Sequence, residues 1–246
     1  MPTYAPVTLA AVSTTAEVIP DSTISVLDHG FVRLDGALAD DLSVVNGARV
    51  SFARRKEEMD ESDEGLIRFL MRERHGTPFE HNSFRFHVRC PIFVAREWFR
   101  HRVGSFNEFS MRYARATDEF YLPAPEDVRT QVGKPGAYSF ETVDPELAEQ
   151  TRAALEDVYE QAYATYERLV EAGVARELAR CALPVGAYTE FFWTVNARSL
   201  MNFVSLRAAE TAQREIRRYA EAAERFLAER MPITHAAFVA NDRTAP

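Results

Sequence analysis

Cysteine is scarce in these 246 residues: Cys90 and Cys181 are the only two. They form neither a disulfide framework nor a metal-ligand spacing, which fits a reducing cytoplasm. Long apolar runs are missing, and no stretch approaches the roughly 18 consecutive apolar residues of a membrane span. Nor does a basic region followed by an apolar run open the sequence, so no secretory signal is read there. Positive charge is in deficit, with 29 Lys and Arg against 37 Asp and Glu and a formal net charge of −8. That balance disfavours broad binding to nucleic acid or to an anionic membrane. Any anionic ligand must instead meet a local cluster of positive charge. Lysine supplies only Lys56 and Lys134 of that total, a bias of the whole sequence that says little about function. Without GxGxxG or a Walker phosphate loop, a dinucleotide-binding or NTPase fold has no local support. Without HExxH or GxSxG, neither has zinc peptidase or nucleophile-elbow chemistry.

What is present is the composition of an ordinary globular chain, 46% hydrophobic and 27% charged, long enough for one large domain or two small ones. Residues 1–22 show no periodicity and read as a flexible or accessory extension ahead of a domain over 23–246. Ile24 to Leu34 predicts a hairpin turning at Asp28-His29-Gly30. A helix is expected from Asp41 to about Arg49. A second follows the charged segment 54–64, with Ser62 as N-cap and Leu66, Ile67, Leu70 and Met71 inward. Residues 83–90 alternate, with Phe84, Phe86, Val88 and Cys90 on one face and Arg85, His87 and Arg89 on the other. That is the pattern of a half-buried strand.

Pro91 suits the first position of a helix over 91–102, because the N–H it lacks would be unpaired there anyway. Three prolines and two glycines make 123–143 read as a loop. Asp144-Pro145-Glu146 starts a long amphipathic helix: an N-cap, a proline in the first turn, then a carboxylate favoured by the dipole. Its inward stripe is Leu147, Thr151, Leu155, Val158, Ala162, Tyr166 and Leu169, and Gly173 stops it. A short helix over 175–183, a strand from Tyr188 to Val195, a helix capped by Asn196 to about Arg207, and another over 211–230 complete the reading. Strands are few, helices many, and no βαβ order repeats. The fold class is α+β, a mixed or antiparallel sheet packed with several long helices in a single domain.

The segment 96–115, REWFRHRVGSFNEFSMRYAR, is where charge concentrates. Arg96, Arg100, Arg102, Arg112 and Arg115 are interleaved there with Trp98, His101, Glu108, Ser110 and Tyr113. Arginine's planar fork grips phosphate bidentately, and a serine hydroxyl adds a donor. A solvated basic helix end is the bland alternative, but such a face has little need of Trp, His, Asn and Tyr. Gly104 and Ser105 interrupt the helix, so the second half is expected to fold back beside the first.

Arg100-His101-Arg102, seven residues, then Ser110 resembles the signature of the flavin-dependent thymidylate synthases. Thr77-Pro78-Phe79-Glu80-His81, the block 91–102 and the block 191–203 are similar to that family's other characteristic segments, in the same order. The resemblance runs from about residue 24 to 230. It implies methylation of dUMP to dTMP, with methylene-tetrahydrofolate as carbon donor, FAD as hydride carrier, NADPH as reductant and no cysteine nucleophile. It also implies a homotetramer whose active sites draw on several subunits.

By that resemblance Glu97, Arg100, Glu108, Ser110, Arg112, Arg180 and Arg207 contact dUMP. Thr77, Arg100, His101, Arg102, Glu108, Asn196, Arg198 and Asn202 contact FAD. Arg207 stabilises charge that develops on the pyrimidine, and His75 belongs to the folate and nicotinamide region. Asn196, Arg198 and Asn202 sit at or just inside a helix N-terminus, where free N–H groups and the dipole favour an anion; Arg198 and Asn202 share a helix face. Thr211 departs from the family, which often has histidine there, so folate packing is expected to differ.

Three rivals stand beside this reading. A cysteine-nucleophile thymidylate synthase would need Cys90 or Cys181, both of which read as buried and inert. A metal-dependent hydrolase would use His75, Glu80, His81 and His101, though His75 and His81, six apart with Pro78 between them, make a poor ligand spacing. A non-enzymatic nucleotide sensor would keep the arginines and need no electron carrier.

Overall fold

The computed structural model describes residues 22–134 and 137–246. The expected accessory extension over 1–22 lies outside them, apart from Ser22, whose hydroxyl donates to the Leu34 carbonyl at 2.7 Å. The strands are β1 (Thr23–Val26), β2 (Gly30–Leu38), β3 (Ser83–Pro91), β4 (Ser105–Glu108), β5 (Arg129–Lys134), β6 (Ala137–Thr142) and β7 (Tyr188–Asn196). Five of them make one antiparallel sheet in the order β1-β2-β3-β7-β4, and β5 and β6 form a separate ribbon.

The central pair explains itself from its alternation. Phe84, Phe86, Val88 and Cys90 of β3 face Val195, Trp193, Phe191 and Thr189 of β7 across the ladder, and all eight are buried. On the other face His87 stacks on Phe192 and Arg89 pairs with Glu190. The predicted hairpin is β1–β2; it turns through Leu27, Asp28 and His29, with Leu27 held at a φ of 59°.

The helices are α1 (Asp41–Arg49), α2 (Glu61–Arg72), α3 (Thr77–Glu80), α4 (Ile92–Trp98), α5 (Pro145–Glu171), α6 (Arg176–Ala179), α7 (Ala197–Arg207), α8 (Arg214–Arg230) and α9 (Pro232–Ala240). The single-domain α+β architecture holds, the sheet being antiparallel. Trp98, at the end of α4, is the keystone of the apolar side. It lies 4.6 Å from the Phe203 ring of α7 and 5.3 Å from the Trp193 ring of β7. Such aromatic pairs each add about 0.5–1.5 kcal/mol beyond their area burial. The buried Asp41 carboxylate accepts both backbone N–H groups of Ile233 and Thr234, so the start of α1 caps α9 across the chain.

Several elements differ from expectation. Asp60, not Ser62, caps α2, in a reciprocal box with Asp63; a carboxylate one residue ahead of the helix serves better than a hydroxyl inside it. Pro91 ends β3 in extended geometry and is the residue before α4, one place earlier than predicted. The helix over 91–102 stops at Trp98, and the chain folds back as a strand that pairs with β7. Gly104 permits that return, because a Cβ there would lie 2.8 Å from Trp193 Nε1 and 3.0 Å from the Thr194 carbonyl.

Residues 123–143 are not a loop but carry the β5–β6 ribbon. Pro123 and Pro125 sit ahead of β5, where they do not interrupt the ladder. Along α5, Tyr166 is buried but Leu147 and Val158 are about half exposed. One face of that helix therefore has no neighbour within the described chain.

Candidate active site

α4 and α7 both end at one cleft of about 820 Å³. Arg207, the last residue of α7, donates from Nε to His101 Nε2 at 3.0 Å and from Nη1 to Glu97 Oε2 at 3.0 Å. From Nη2 it reaches the Glu97 carbonyl at 3.2 Å. An N–H aimed at Nε2 requires the neutral imidazole with its proton on Nδ1. Burial, with Arg207 and Arg100 nearby, lowers the His101 pKa to about 4, so the ring is uncharged at neutral pH. The guanidinium spends three of its five N–H groups on the protein, which leaves two for a ligand.

Arg100 reaches both this cleft and an adjoining recess of about 290 Å³, which His101, Arg102 and Asn202 also line. Among the described residues neither Arg100 nor Arg102 has a carboxylate partner. Of the remaining cofactor candidates, Thr77, Asn196 and Arg198 lie at the other end of α7, whereas Glu108 is on β4. Asn196 accepts from the Ser199 N–H as the predicted N-cap. Arg198 is held by Glu80 at 2.5 Å and by the Pro246 carbonyl at 2.7 Å. It packs over Gly76, beside the exposed Thr77. His75 is exposed and stacks on Phe69.

The predicted dUMP set divides. Glu97, Arg100 and Arg207 share the cleft, whereas Ser110, Arg112 and Arg180 do not line it. Arg112 reaches Glu177 at 3.8 Å and lies 5.2 Å from the Tyr113 ring centroid, and Arg180 donates to the Glu177 carbonyl at 3.3 Å. Both arginines are exposed. Glu108, on the outer edge of β4, accepts from the Thr189 hydroxyl at 2.8 Å.

The cleft also has lining residues that the sequence reading missed: Arg129, Tyr138 and Phe140 from the ribbon, and Gln213, Arg214 and Arg217 from the start of α8. Only the alternation of Tyr138, Phe140 and Thr142 signalled the ribbon. Thr211 stands on the same rim.

The rivals fare differently. Cys90 is fully buried, and desolvation pushes its thiol pKa well up, so it supplies no thiolate. Cys181 is exposed, contrary to the buried reading, because it sits in a 3₁₀ turn over 180–182 rather than on the inner face of a helix. The proposed metal ligands serve elsewhere: His75 against Phe69, Glu80 on Arg198, His101 under Arg207. Among the described residues no three His, Cys, Asp or Glu side chains converge as a metal site.

The chain matches the family model described as thymidylate synthase complementing protein over residues 34–233. It is 48% identical over 214 residues to a flavin-dependent thymidylate synthase of Thermosipho melanesiensis, covering 87% of this chain and 92% of that one. It is also 48% identical over 228 residues to the enzyme of the same name from Streptomyces coelicolor, covering 87% and 93%. Among solved structures it resembles the UMP/dUMP methylase PolB of Streptomyces cacaoi bound with 5-Br dUMP. That match has 44% identity and a TM-score of 0.84, over 91% of this chain and 100% of that one.

Proposed function

We propose, from the premise that this chain belongs to the flavin-dependent thymidylate synthase family, that the Arg207 cleft is where its pyrimidine is activated. The enzyme methylates dUMP to dTMP and depends on a flavin. The observation that carries the site assignment is the clamp on Arg207 by Glu97 and neutral His101. The clamp fixes the guanidinium before substrate arrives and leaves two of its N–H groups uncommitted in a residue that lines the cleft. Aimed at a uracil carbonyl, they stabilise the negative charge that grows there as carbon 5 attacks the incoming one-carbon unit. A donor preorganised in this way needs no rearrangement at the moment of reaction. Cys90 is too deeply buried to act as a nucleophile, in keeping with activation by electrostatics alone.

We assign FAD as the flavin, methylene-tetrahydrofolate as carbon donor and NADPH as reductant. The residues suit a dinucleotide: among the described residues Arg100 and Arg102 have no carboxylate partner, and Asn202 and Thr77 are exposed for contact. The hydride that completes the methyl group is the chemistry a bound FAD supplies. Glu108, Ser110, Arg112 and Arg180 complete dUMP binding, and His75 serves the folate and nicotinamide region. Their separation from the Arg207 cleft supports sites assembled from several copies, hence a homotetramer. No helix among the described residues is long and apolar enough to cross a membrane, and we assign the enzyme to the cytoplasm.

The test is dTMP formation by the purified chain from dUMP, methylene-tetrahydrofolate and NADPH, with the flavin absorbance of the same sample. A colourless preparation that makes no dTMP when FAD is added would sink the proposal. UMP belongs in the same assay as a second substrate, because the PolB structures carry both 5-Br UMP and 5-Br dUMP.

A further inference from the structure

We propose that the β5–β6 ribbon is the binding wall for the carbon donor. On it, Tyr138 seats a flat aromatic ring bearing carboxylates, the aryl-glutamate arm of a reduced folate. This rests on reading the cleft as the place where dUMP is methylated.

The ribbon is an unusual place for aromatics. Every described residue of β6 is exposed, and among the described residues no third strand joins the two. Yet Tyr138, Phe140 and Thr142 share one face of β6 by the two-residue period, and all three line the cleft. Tyr138 is 44% exposed and makes no hydrogen bond or ring contact among the described residues. Aromatic surface left open beside a cleft marks a binding surface.

The wall is pinned rather than loose. Arg129, at the base of β5, makes two parallel 3.0 Å bonds to the buried Glu215 carboxylate. Its guanidinium also lies 5.6 Å from the Phe140 ring centroid. Tyr121 and Gln213 donate to the same Glu215. The base of the ribbon is therefore fixed to α8, while Tyr138 lines the cleft half exposed.

Charge and size select the ligand class. Of the guanidiniums at this end, Arg129 is committed to Glu215 and Arg214 to Asp127 at 2.7 Å. Arg217 is held only by Glu221 at 3.9 Å. Arg100 and Arg207 line the same cleft beside the pyrimidine position, so at the ribbon end one loosely held fork lies next to an open ring and suits a carboxylate. About 820 Å³ is toward the upper end for a single small-molecule site, leaving room beside a pyrimidine at Arg207.

Steady-state kinetics on the full chain tests this. dTMP formation by wild type checks the reading beneath the proposal; the variants then check the wall. Tyr138→Ala should raise KM for methylene-tetrahydrofolate about tenfold, the loss of one aromatic stacking contact. KM for dUMP and flavin absorbance per chain should stay within about twofold of wild type. Tyr138→Phe should recover most of the loss, and Arg217→Ala should raise the folate KM. Thermal melting shows whether Tyr138→Ala keeps its fold. If it does not, Tyr138→Leu keeps the bulk on that face and removes only the ring. An equal rise in the dUMP KM, a rise in the NADPH KM alone, or no change in any KM overturns the assignment. Should wild type form no dTMP, tetrahydrofolate binding to wild type and Tyr138→Ala, followed by protein fluorescence, still decides the wall separately.

Discussion

Arg207 and Arg112 both belong to the predicted dUMP set, and the chain holds them in opposite ways. Arg207 closes a helix whose inner face is fully buried, and three hydrogen bonds fix its fork. Arg112 hangs from a turn outside the sheet, about half exposed, with its nearest carboxylate 3.8 Å away. The first is preorganised by a single copy of the chain. The second has a charge to offer and only a long ion pair and a neighbouring ring face in the same copy to hold it. Stabilising a developing charge demands a rigid donor, because reorganisation at that moment cancels the gain. Gripping a phosphate tolerates a side chain that orders only on binding or on assembly with another copy.

The largest expected effect tests the rigid side. Arg207→Lys keeps the charge but loses the fork and two of the bonds that hold it. dTMP formation should fall about a hundred- to thousandfold, the cost of removing a donor aimed at developing charge. Stopped-flow reduction of bound flavin by NADPH without dUMP should change far less. Equal losses in both steps would mean that Arg207 holds the flavin site together rather than activating uracil.

Next comes the loose side. Arg112→Ala should weaken dUMP binding about tenfold or more, as one charged hydrogen bond to phosphate is worth roughly 1.5–3 kcal/mol. If its partner cleft lies on another copy, mixed oligomers of Arg112→Ala and Arg207→Lys contain some sites with both arginines intact. Such mixtures should turn over faster than either variant alone. No gain on mixing, in oligomers shown to exchange subunits, would mean the two groups serve one copy and the comparison fails.

A smaller effect is the pH dependence built into the clamp. The His101 pKa drops to about 4 in the fold from an ordinary 6.5. Between those values the unfolded chain binds the proton and the folded chain does not, so this residue makes stability rise with pH across that window. Below it His101 becomes protonated and Nε2 can no longer accept from Arg207. His101→Gln should flatten the rise in melting midpoint between about pH 4 and 6.5. An unaltered slope would show that His101 does not couple the clamp to pH. The smallest effect is expected at Cys181, exposed but assigned no role. Cys181→Ala should leave dTMP synthesis within about twofold, as for a surface change that removes no contact, and a complete loss would revive the thiolate rival.

Local chemistry explains why parts of this molecule were readable in advance. The alternation in 83–90 and 188–195 requires a sheet with one buried face, since period two is satisfied only there. Asp144 ahead of Pro145 satisfies the first free N–H groups of α5, so that helix start is written in three residues. Asn196 works the same way for α7. The ribbon is hidden in the sequence because the prolines suggest a loop, although Pro123 and Pro125 lie ahead of β5. The stripe of α5 was overread because periodicity says which side is apolar, not whether this chain has anything to put against it.

The sequence by itself determined the central strands, the long helices, the sheet's buried face and, through four ordered blocks of residues, the family and its reaction. Those are properties of neighbours along the chain, and neighbours fix backbone hydrogen bonds, caps and side-chain period. Only the tertiary structure decided that Glu97 and His101, more than a hundred residues before Arg207, meet its guanidinium. It alone decided that Arg112 and Arg180 stand apart from that cleft, and that Tyr138 lines it. The physical reason is that an arginine's chemistry depends on which dipoles and charges surround its fork. Those surroundings are assembled by packing across the core, which no local pattern encodes.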